Sequence, residues 1–413
     1  MKENCGMMKV VLKMKAIAGV LILTIVLLSN CNSNDVDKDT IGVKPVAKTN
    51  AMKVYMHYMP WFQSKPVSGY WGSHWTMKNK NPDTIDANGK REIASHYYPL
   101  IGPYDSKDPD VIEYHLLLMK YAGVDGILID WYGSHNVYDY KVNLTASNAV
   151  IDMVDDVGIQ FAVVYEDYVA KSIEDQTSKT AMQAAQADMM YLEKEYFSKV
   201  DHITIDDIPL LMTFGPRQFK SSSQWTEVFS VLKTKPKFLP LWNHSGLVGS
   251  NANGEFAWID FNESLSELTS FYNKAHLENR MGSAYPRFHD FYVQGGTGTS
   301  YGFVDYNNGE TLRRTLAKAK EGNAKYLQLV TWNDFGEGTV IEPTLENEYE
   351  SLESIQEFTG VSYGKEELEL IHNYYLKKLE YKGNVEATVK LKQIFEHLTS
   401  LEVVQAKELL NQL

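Results

Sequence analysis

From Met52 onward the chain alternates short apolar runs with longer amphipathic ones, the rhythm of strands followed by helices. Residues 53–58, 125–129, 160–165, 208–214, 238–242, 256–259 and 326–331 read as strands, and 282–285 brings the candidates to eight. Between them, Asp108-Pro109 opens a helix whose Ile112, Leu116 and Met119 share one face and which Ala122-Gly123 closes. Further helical periodicity covers 146–157, 181–197, 265–277 and 311–320. After Pro343 the pattern turns strongly helical over 352–358, 366–381 and 385–413. Eight strands with helices between most of them predict an α/β fold, a (β/α)8 TIM barrel with long βα loops and a C-terminal helical extension. On this reading residues 51–350 form the barrel, and 351–413 form its closing helix and the extension.

Nearly every strand ends in a polar or ionisable residue: His57, Asp130, Glu166, His244, Asp260, Asp290, and Asp334 with Glu337. A barrel brings such ends to one mouth, whereas an open sheet spreads them along an edge. No Gly-rich phosphate loop points to a nucleotide fold. Asp334 and Glu337 stand three apart, with Gly336 and Gly338 allowing a tight turn after the strand. Paired carboxyls are what glycoside hydrolysis requires, one to protonate the leaving oxygen and one to act as base or nucleophile. A loop cap gives the same spacing, and the position at a strand end favours the chemical reading. Asn333 suits a sugar hydroxyl or a carboxylate. His57, Tyr58 and Trp61 offer a polar and aromatic wall, and His74 and Trp75 lie in a long loop, where function concentrates. Trp131 and Tyr168 are further strand-end candidates for sugar contact. Asp130 and Glu166 either position hydroxyls or pair with Arg287. Glu342, beside Pro343, is expected to pair with a basic residue. No H-x-H or H-E-x-x-H spacing predicts a metal site, and no G-x-S-x-G predicts a serine nucleophile, so no cofactor is expected.

Composition narrows the partners. A formal net charge of -13 opposes binding to nucleic acid, and 26 Tyr with 8 Trp supply faces on which sugar rings stack. Lys9, Lys13 and Lys15 precede an apolar run at 16–28 that ends in Ser29-Asn30-Cys31, the layout of a bacterial lipoprotein signal over residues 1–30, with Cys31 as the lipidated residue. A plain membrane anchor is the alternative, although the run is short for a bilayer. Cys5 and Cys31 are the two cysteines, so the chain beyond them has no disulfide and no thiol nucleophile. Residues 31–50 read as a polar tether. The protein is thus expected to be exported and held by a lipid anchor on the periplasmic or surface side of the bacterial envelope.

Several blocks resemble glycoside hydrolase family 99, the endo-α-1,2-mannosidases and endo-mannanases. They are Tyr58-Met59-Pro60-Trp61-Phe62, Ser73-His74-Trp75, the stretch from Ser95 to Ser106 with Asp108-Pro109, Trp131-Tyr132-Gly133, Tyr165-Glu166-Asp167-Tyr168, and Glu337 to Glu342. The resemblance covers most of the chain from Met52 to Pro343. It implies a (β/α)8 barrel that cleaves within α-mannosides with retention, one carboxylate deprotonating the sugar's own 2-hydroxyl to give a 1,2-anhydro intermediate while a second acts as general acid and then base. Asp334 falls where that family has its first Glu, and Glu337 matches the second. Asp334 and Phe335-Gly336 depart from the family's Glu and Trp-His, and Asn333 to Glu337 is more similar to family 71, the α-1,3-glucanases. Asp130 and Asp167 depart as well, from a small residue and a Pro. The expected activity is hydrolysis of α-mannosidic or related α-glycan linkages, with an α-1,3-glucanase or a non-catalytic glycan-binding lipoprotein as alternatives.

Overall fold

The computed structural model describes residues 42–413. The leader, Cys31 and most of the expected tether lie outside the described residues. Eight main strands run in sequence: β1 Lys53–Tyr58, β2 Gly126–Trp131, β3 Gln160–Tyr165, β4 Ile208–Thr213, β5 Lys237–Pro240, β6 Gly254–Phe256, β7 Asn279–Ala284 and β8 Tyr326–Leu329. Parallel ladders join them in the order β6-β7-β8-β1-β2-β3-β4-β5. A parallel bridge from Leu241 to Phe256, with the Trp242 N–H donating to the Phe256 carbonyl at 2.8 Å, brings the chain after β5 alongside β6. The result is a curled, parallel-rich, barrel-like sheet in a mixed α/β fold. A short strand at Thr204–Ile205 adds antiparallel to β4.

Parity along the strands decides what each residue faces, because successive side chains point to opposite sides of a strand. Val54, Met56 and Tyr58 of β1, Ile127, Ile129 and Trp131 of β2, and Phe161, Val163 and Tyr165 of β3 pack into the large apolar layer shared with the helices. The alternate residues Tyr55, Leu128, Ala162, Val164, Leu210, Met212, Leu239, Phe256 and Met281 form a separate inner core. That inner core fills the sheet's interior below the pocket, so His57, Asp130 and Glu166, which continue the inward parity, emerge above it.

The helices confirm most of the periodic reading. α1 (Pro109–Tyr121) is capped by Asp108, whose carboxylate accepts from the Asp110 N–H at 3.0 Å. α2 (Tyr140–Ile151), α3 (Ala181–Glu195), α4 (Ser222–Val228), α5 (Ser266–Tyr272) and α6 (Glu310–Glu321) follow. α2 stops at Ile151 and a separate turn occupies Val154–Val157, where periodicity suggests one helix. Beyond the sheet lie α7 (Glu350–Thr359), α8 (Lys365–Glu380), α9 (Val385–Thr399) and α10 (Val403–Leu410). The expected helix over 385–413 is broken by Leu401, whose φ of 64° lies in the left-handed region.

The extension is fastened at the end of α1. The buried Lys120 ammonium donates to the carbonyls of Lys44, Val157 and Thr399 at 2.7, 2.6 and 2.8 Å, and the Tyr121 hydroxyl donates to the Leu398 carbonyl at 2.9 Å. The segment just before β1 is held in the same place, the Lys44 N–H donating to the Thr399 carbonyl at 3.1 Å and the Asn50 N–H to that of Thr359 at 3.1 Å. Among the described residues no helix is long and apolar enough to cross a membrane.

Candidate active site

The chain after β8 folds back on itself. Thr331 donates its N–H to the Thr339 carbonyl at 2.8 Å and accepts at its own carbonyl from Ile341 at 3.0 Å, while the Thr331 hydroxyl accepts from the Asp334 N–H at 2.8 Å. Gly338 has φ of 68°, and a Cβ there would lie 2.5 Å from the His289 carbonyl oxygen, so only glycine fits. The neighbouring backbone is thereby latched, His289 N–H to the Glu337 carbonyl and Phe291 N–H to that of Gly336, both at 2.9 Å. The Asp334 carboxylate accepts the Glu337 N–H at 2.9 Å. The two acids that the spacing singles out are therefore held by one rigid turn.

They open into a cavity of about 360 Å³ that also receives Asp130, Glu166 and Arg217, with His57, Trp61, Tyr132, Tyr168, Phe214, Trp258, Tyr292 and Tyr301 among the walls. Four carboxyls thus face one guanidinium. Arg217 lies over the rings of Phe214 and Tyr168 at 5.0 and 5.7 Å, and its segment is fixed by Asp167, whose carboxylate accepts from the N–H groups of Arg217, Gln218 and Phe219 at 2.7, 2.8 and 3.0 Å. One oxygen each of Asp130 and Glu166, Oδ1 and Oε2, is buried with no hydrogen-bond partner among the described residues. Such atoms cost free energy until a polar ligand satisfies them.

Burial raises every one of these acids, but not equally. Asp334 is pushed up to about 6, and the N–H groups of Glu337 and Gly336 oppose the rise. Glu337 is held well above the usual carboxyl range by burial, with the charges of Asp334 and Asp290 adding to it. Asp130 is raised by burial and by Asp334, Glu166 by burial and by Asp130, and Arg217 opposes both. Burial and neighbouring negative charge both penalise the carboxylate form, so these shifts all favour the protonated acid. Asp334 thus carries backbone donors that favour its carboxylate, while neighbouring negative charge adds to the rise of Glu337. His57, lowered to about 4 by burial, is neutral and donates its Nδ1–H to Gln328 Oε1 at 3.3 Å.

Of the residues expected to touch a glycan, His57, Trp61, Glu166 and Tyr168 line the cavity with both acids. His74 stacks on the Trp61 ring, centroids 4.2 Å apart, and supports that ring from behind. The others are placed elsewhere. Tyr58 and Trp131 have the outward parity; Tyr58 bonds to His115 at 3.2 Å, and Trp131 packs on Tyr165, Tyr191 and Tyr196. Trp75 is fully buried against Phe62 and Phe335, its N–H donating to the Tyr104 carbonyl at 2.8 Å. Asn333 serves the backbone: its amide accepts from the Met59 N–H at 2.8 Å and donates to the Met59 carbonyl at 3.0 Å, tying the end of β1 to the turn after β8. Arg287 makes no ion pair with Asp130 or Glu166. It is 3% exposed, between the rings of Tyr97 and Tyr306 at 4.1 Å each, and the guanidinium that lines the cavity with those acids is that of Arg217.

Three expected mouth residues do not line the cavity. Asp260 caps α5 through the Glu267 and Leu268 N–H groups, Asp290 anchors a loop through Ser300 and Tyr301, and His244 bonds to the Trp242 carbonyl. Glu342 accepts from the Tyr104 hydroxyl at 2.7 Å and sits 3.3 Å from the His115 ring nitrogen, buried below the site. Arg217 and Trp258 were within reach of the strand-end rule, lying four and two residues past their strands. Tyr292 and Tyr301 belong to a distant loop and carry no such signal. Among the described residues no group of three or more His, Cys, Asp or Glu side chains is arranged to hold a metal ion.

A barrel-like parallel sheet that gathers carboxyls and aromatic rings beyond its C-terminal strand ends has the architecture of the α/β enzymes whose sites are built from the βα loops. The model of glycosyl hydrolase family 99 matches residues 49–378, and the chain belongs to that family. It is 30% identical over 88 residues to a glycoprotein endo-alpha-1,2-mannosidase-like protein of Danio rerio, covering 19% of this chain and 20% of that protein. The glycoprotein endo-alpha-1,2-mannosidase of Xenopus laevis is 28% identical over 87 residues, 19% of each chain. The matched stretch spans about a fifth of these curated relatives. In fold the chain is similar to the GH99 endo-alpha-mannosidase from Bacteroides thetaiotaomicron, with a TM-score of 0.59 at 18% identity over 75% of this chain and 98% of that one. A solved glycoside hydrolase-like protein gives 0.54 at 13% identity, over 78% of this chain and 99% of that one.

The raised acids make stability depend on pH in a defined direction. The folded value of Asp334 exceeds its unfolded one, so the folded state holds the extra proton between about pH 4 and pH 6 and loses stability as pH rises through that window. Asp334→Asn, which keeps an oxygen for the Glu337 N–H, is expected to stabilise the protein by about 1–3 kcal/mol at pH 7 to 8 and to make little difference near pH 3.5 in urea unfolding. A loss at pH 7, or an equal gain at both pH values, would contradict the assigned shift.

Proposed function

We propose that this protein is an endo-acting glycoside hydrolase of α-mannosidic linkages built on a (β/α)8 barrel, with Glu337 as general acid and base and Asp334 as the group that activates the attacking oxygen. The barrel reading is supported by the Leu241–Phe256 bridge between β5 and β6. The catalytic reading is carried by the turn after β8, which sets both acids in one cavity beyond the strand ends and bonds the Asp334 carboxylate to the Glu337 N–H at 2.9 Å. The backbone N–H groups on Asp334 favour the carboxylate that a base needs, and burial with the neighbouring charges favours the protonated form of Glu337 that an acid needs. Membership of family 99 and the activity for which the relatives are named support the substrate class.

In the proposed route Asp334 accepts the proton of the sugar 2-hydroxyl as that oxygen forms a bond to the anomeric carbon. The glycosidic C–O bond breaks, and the Glu337 proton passes to the leaving oxygen. Glu337, now a carboxylate, takes a proton from water as the water attacks the anomeric carbon and opens the 1,2-anhydro ring; O2 recovers its proton from Asp334. The net change is hydrolysis with retention. Asp334 is one methylene shorter than a Glu, which also suits activation of a water, and that route inverts the anomeric centre. Arg217, Asp130 and Glu166 hold hydroxyls of the bound sugar, and Trp61, Tyr132, Tyr168 and Trp258 face its C–H surfaces.

A second reading, an α-1,3-glucanase, is favoured by Asp334 and Phe335-Gly336 within the turn. A panel of α-manno- and α-1,3-gluco-oligosaccharides followed by NMR separates the two and reports the first-formed anomer. Internal cleavage of α-mannosides is expected, with kcat reduced by about 10²–10⁴-fold in Glu337→Gln while oligosaccharide binding persists. Full activity in that variant, turnover of glucan alone, or binding without turnover by the unaltered protein would overturn the proposal.

We also propose that the chain is exported and lipid-anchored at Cys31, on the charged, apolar and Ser29-Asn30-Cys31 layout of its leader. Cells expressing the full chain are expected to incorporate labelled fatty acid into it, and Cys31→Ala is expected to abolish the label; incorporation by the variant would contradict the assignment.

A further inference from the structure

Beside the catalytic pocket, the hairpin that follows β7 carries rings that hydrolysis itself does not use. Phe288–His289 pairs antiparallel with Phe303–Val304, Phe303 opposite His289, and the connecting loop is pinned by Asp290, whose Oδ2 accepts from the Ser300 hydroxyl and the Tyr301 N–H at 2.8 Å each. Phe261, Tyr301 and Phe303 are 46%, 70% and 59% exposed, an unusual amount of aromatic surface for one corner of a soluble domain. They are contiguous. Gly302, with φ of 144°, lies under the Phe261 ring, and a Cβ there would come within 2.8 Å of that ring, so the backbone between Tyr301 and Phe303 is the floor on which Phe261 rests. Each ring is braced edge-on from behind: Phe261 on Phe288 at 5.0 Å, Phe303 on His289 at 5.1 Å and Tyr301 on Tyr292 at 5.4 Å.

A second cavity of about 210 Å³ opens at this ledge, lined by Phe261, Phe303, Glu263, Asp305, Asn307 and Arg314 among others. Phe261 lines both this cavity and the catalytic pocket, and Tyr301 lines the pocket as well, so the two spaces lie on either side of one aromatic ledge. The combination of exposed ring faces with carboxylates, an amide and a guanidinium at their edge suits a sugar, whose C–H face and hydroxyls need both. The core of a protein interface, by contrast, is depleted of charged groups.

We propose that Phe261, Tyr301 and Phe303, with the cavity behind them, form a further sugar subsite that takes a unit of the substrate glycan beyond those held over the four carboxyls. This rests on the reading of the protein as a glycan hydrolase. The subsite contributes to affinity for longer chains and makes no contact with the bond that breaks.

The test is calorimetric titration of α-manno-oligosaccharides of increasing length into the full chain carrying Glu337→Gln, alone and combined with Phe303→Ala or Phe303→Trp. Affinity is expected to rise about tenfold at the length that first spans both spaces, a step of the size one aromatic contact supplies. Phe303→Ala should abolish that step and leave the affinity of shorter chains unchanged, which also reports intact folding; Phe303→Trp should keep it. Short chains that bind, with no step at any length or with equal loss at all lengths, would overturn the subsite and leave the hydrolase reading standing. Failure of every α-mannoside to bind would overturn that reading and the subsite with it.

Discussion

Four carboxyl groups, three of them buried and Glu337 half-buried, share one pocket with a single guanidinium, and this is the constraint on which the site depends. Such a cluster is unfavourable on its own, since each ionised acid loses hydration and repels its neighbours. The surrounding structure bears that cost in specific ways. Asp167 fixes the Arg217 segment through three backbone N–H groups, and the Asp334 carboxylate is steadied by the turn that carries Glu337. Asn333 ties this turn to the end of β1, and Gly338 lets the chain pass against the His289 carbonyl. Backbone donors favour the carboxylate of Asp334 and neighbouring charge favours the protonated form of Glu337, which is the basis for proposing the first as base and the second as acid.

The same balance bears on how this chain differs from its family resemblance. Asp130 stands where a small residue is expected and adds a carboxyl to the pocket, with one oxygen unpartnered. Asp167 stands where a proline is expected, and it builds the platform for Arg217, the cation that offsets the added charge. The two departures are thus physically linked: the acid brought into the pocket and the acid that positions its counter-ion belong to the ends of adjacent strands, β2 and β3. Substrate choice follows from such groups, because a hydroxyl aligned with a buried, unpartnered oxygen binds far better than one that leaves it empty.

Much of this was legible in the sequence. The apolar rhythm gave strand positions, and β1 and β3 match the expected bounds; the acids at 334 and 337 stand out by spacing and by their place after β8. What was hard to read is parity. Tyr58 and Trp131 sit one residue from His57 and Asp130, and a run of uniformly apolar residues conceals which of the two neighbours faces inward, since both sides of a parallel strand are buried. Asn333 was misleading for a different reason: a polar side chain at a strand end serves exposed backbone as readily as a ligand. Arg287 and Arg217 exchange roles because only the folded loops decide which guanidinium meets the acids. Helix breaks at Met153 and Leu401 escaped because propensity and periodicity carry across a single turn of unfavourable backbone.

The account stands on the order in which two carboxyls lose their protons, and that order is directly measurable. Carbon-13 NMR titration of side-chain carboxyls in the free protein, with resonances assigned through Asp334→Asn and Glu337→Gln, reports both. The expected result is Asp334 titrating near pH 6 and Glu337 at a higher pH. Glu337 ionising first, or both groups titrating in the ordinary carboxyl range, would contradict the assignment of acid and base.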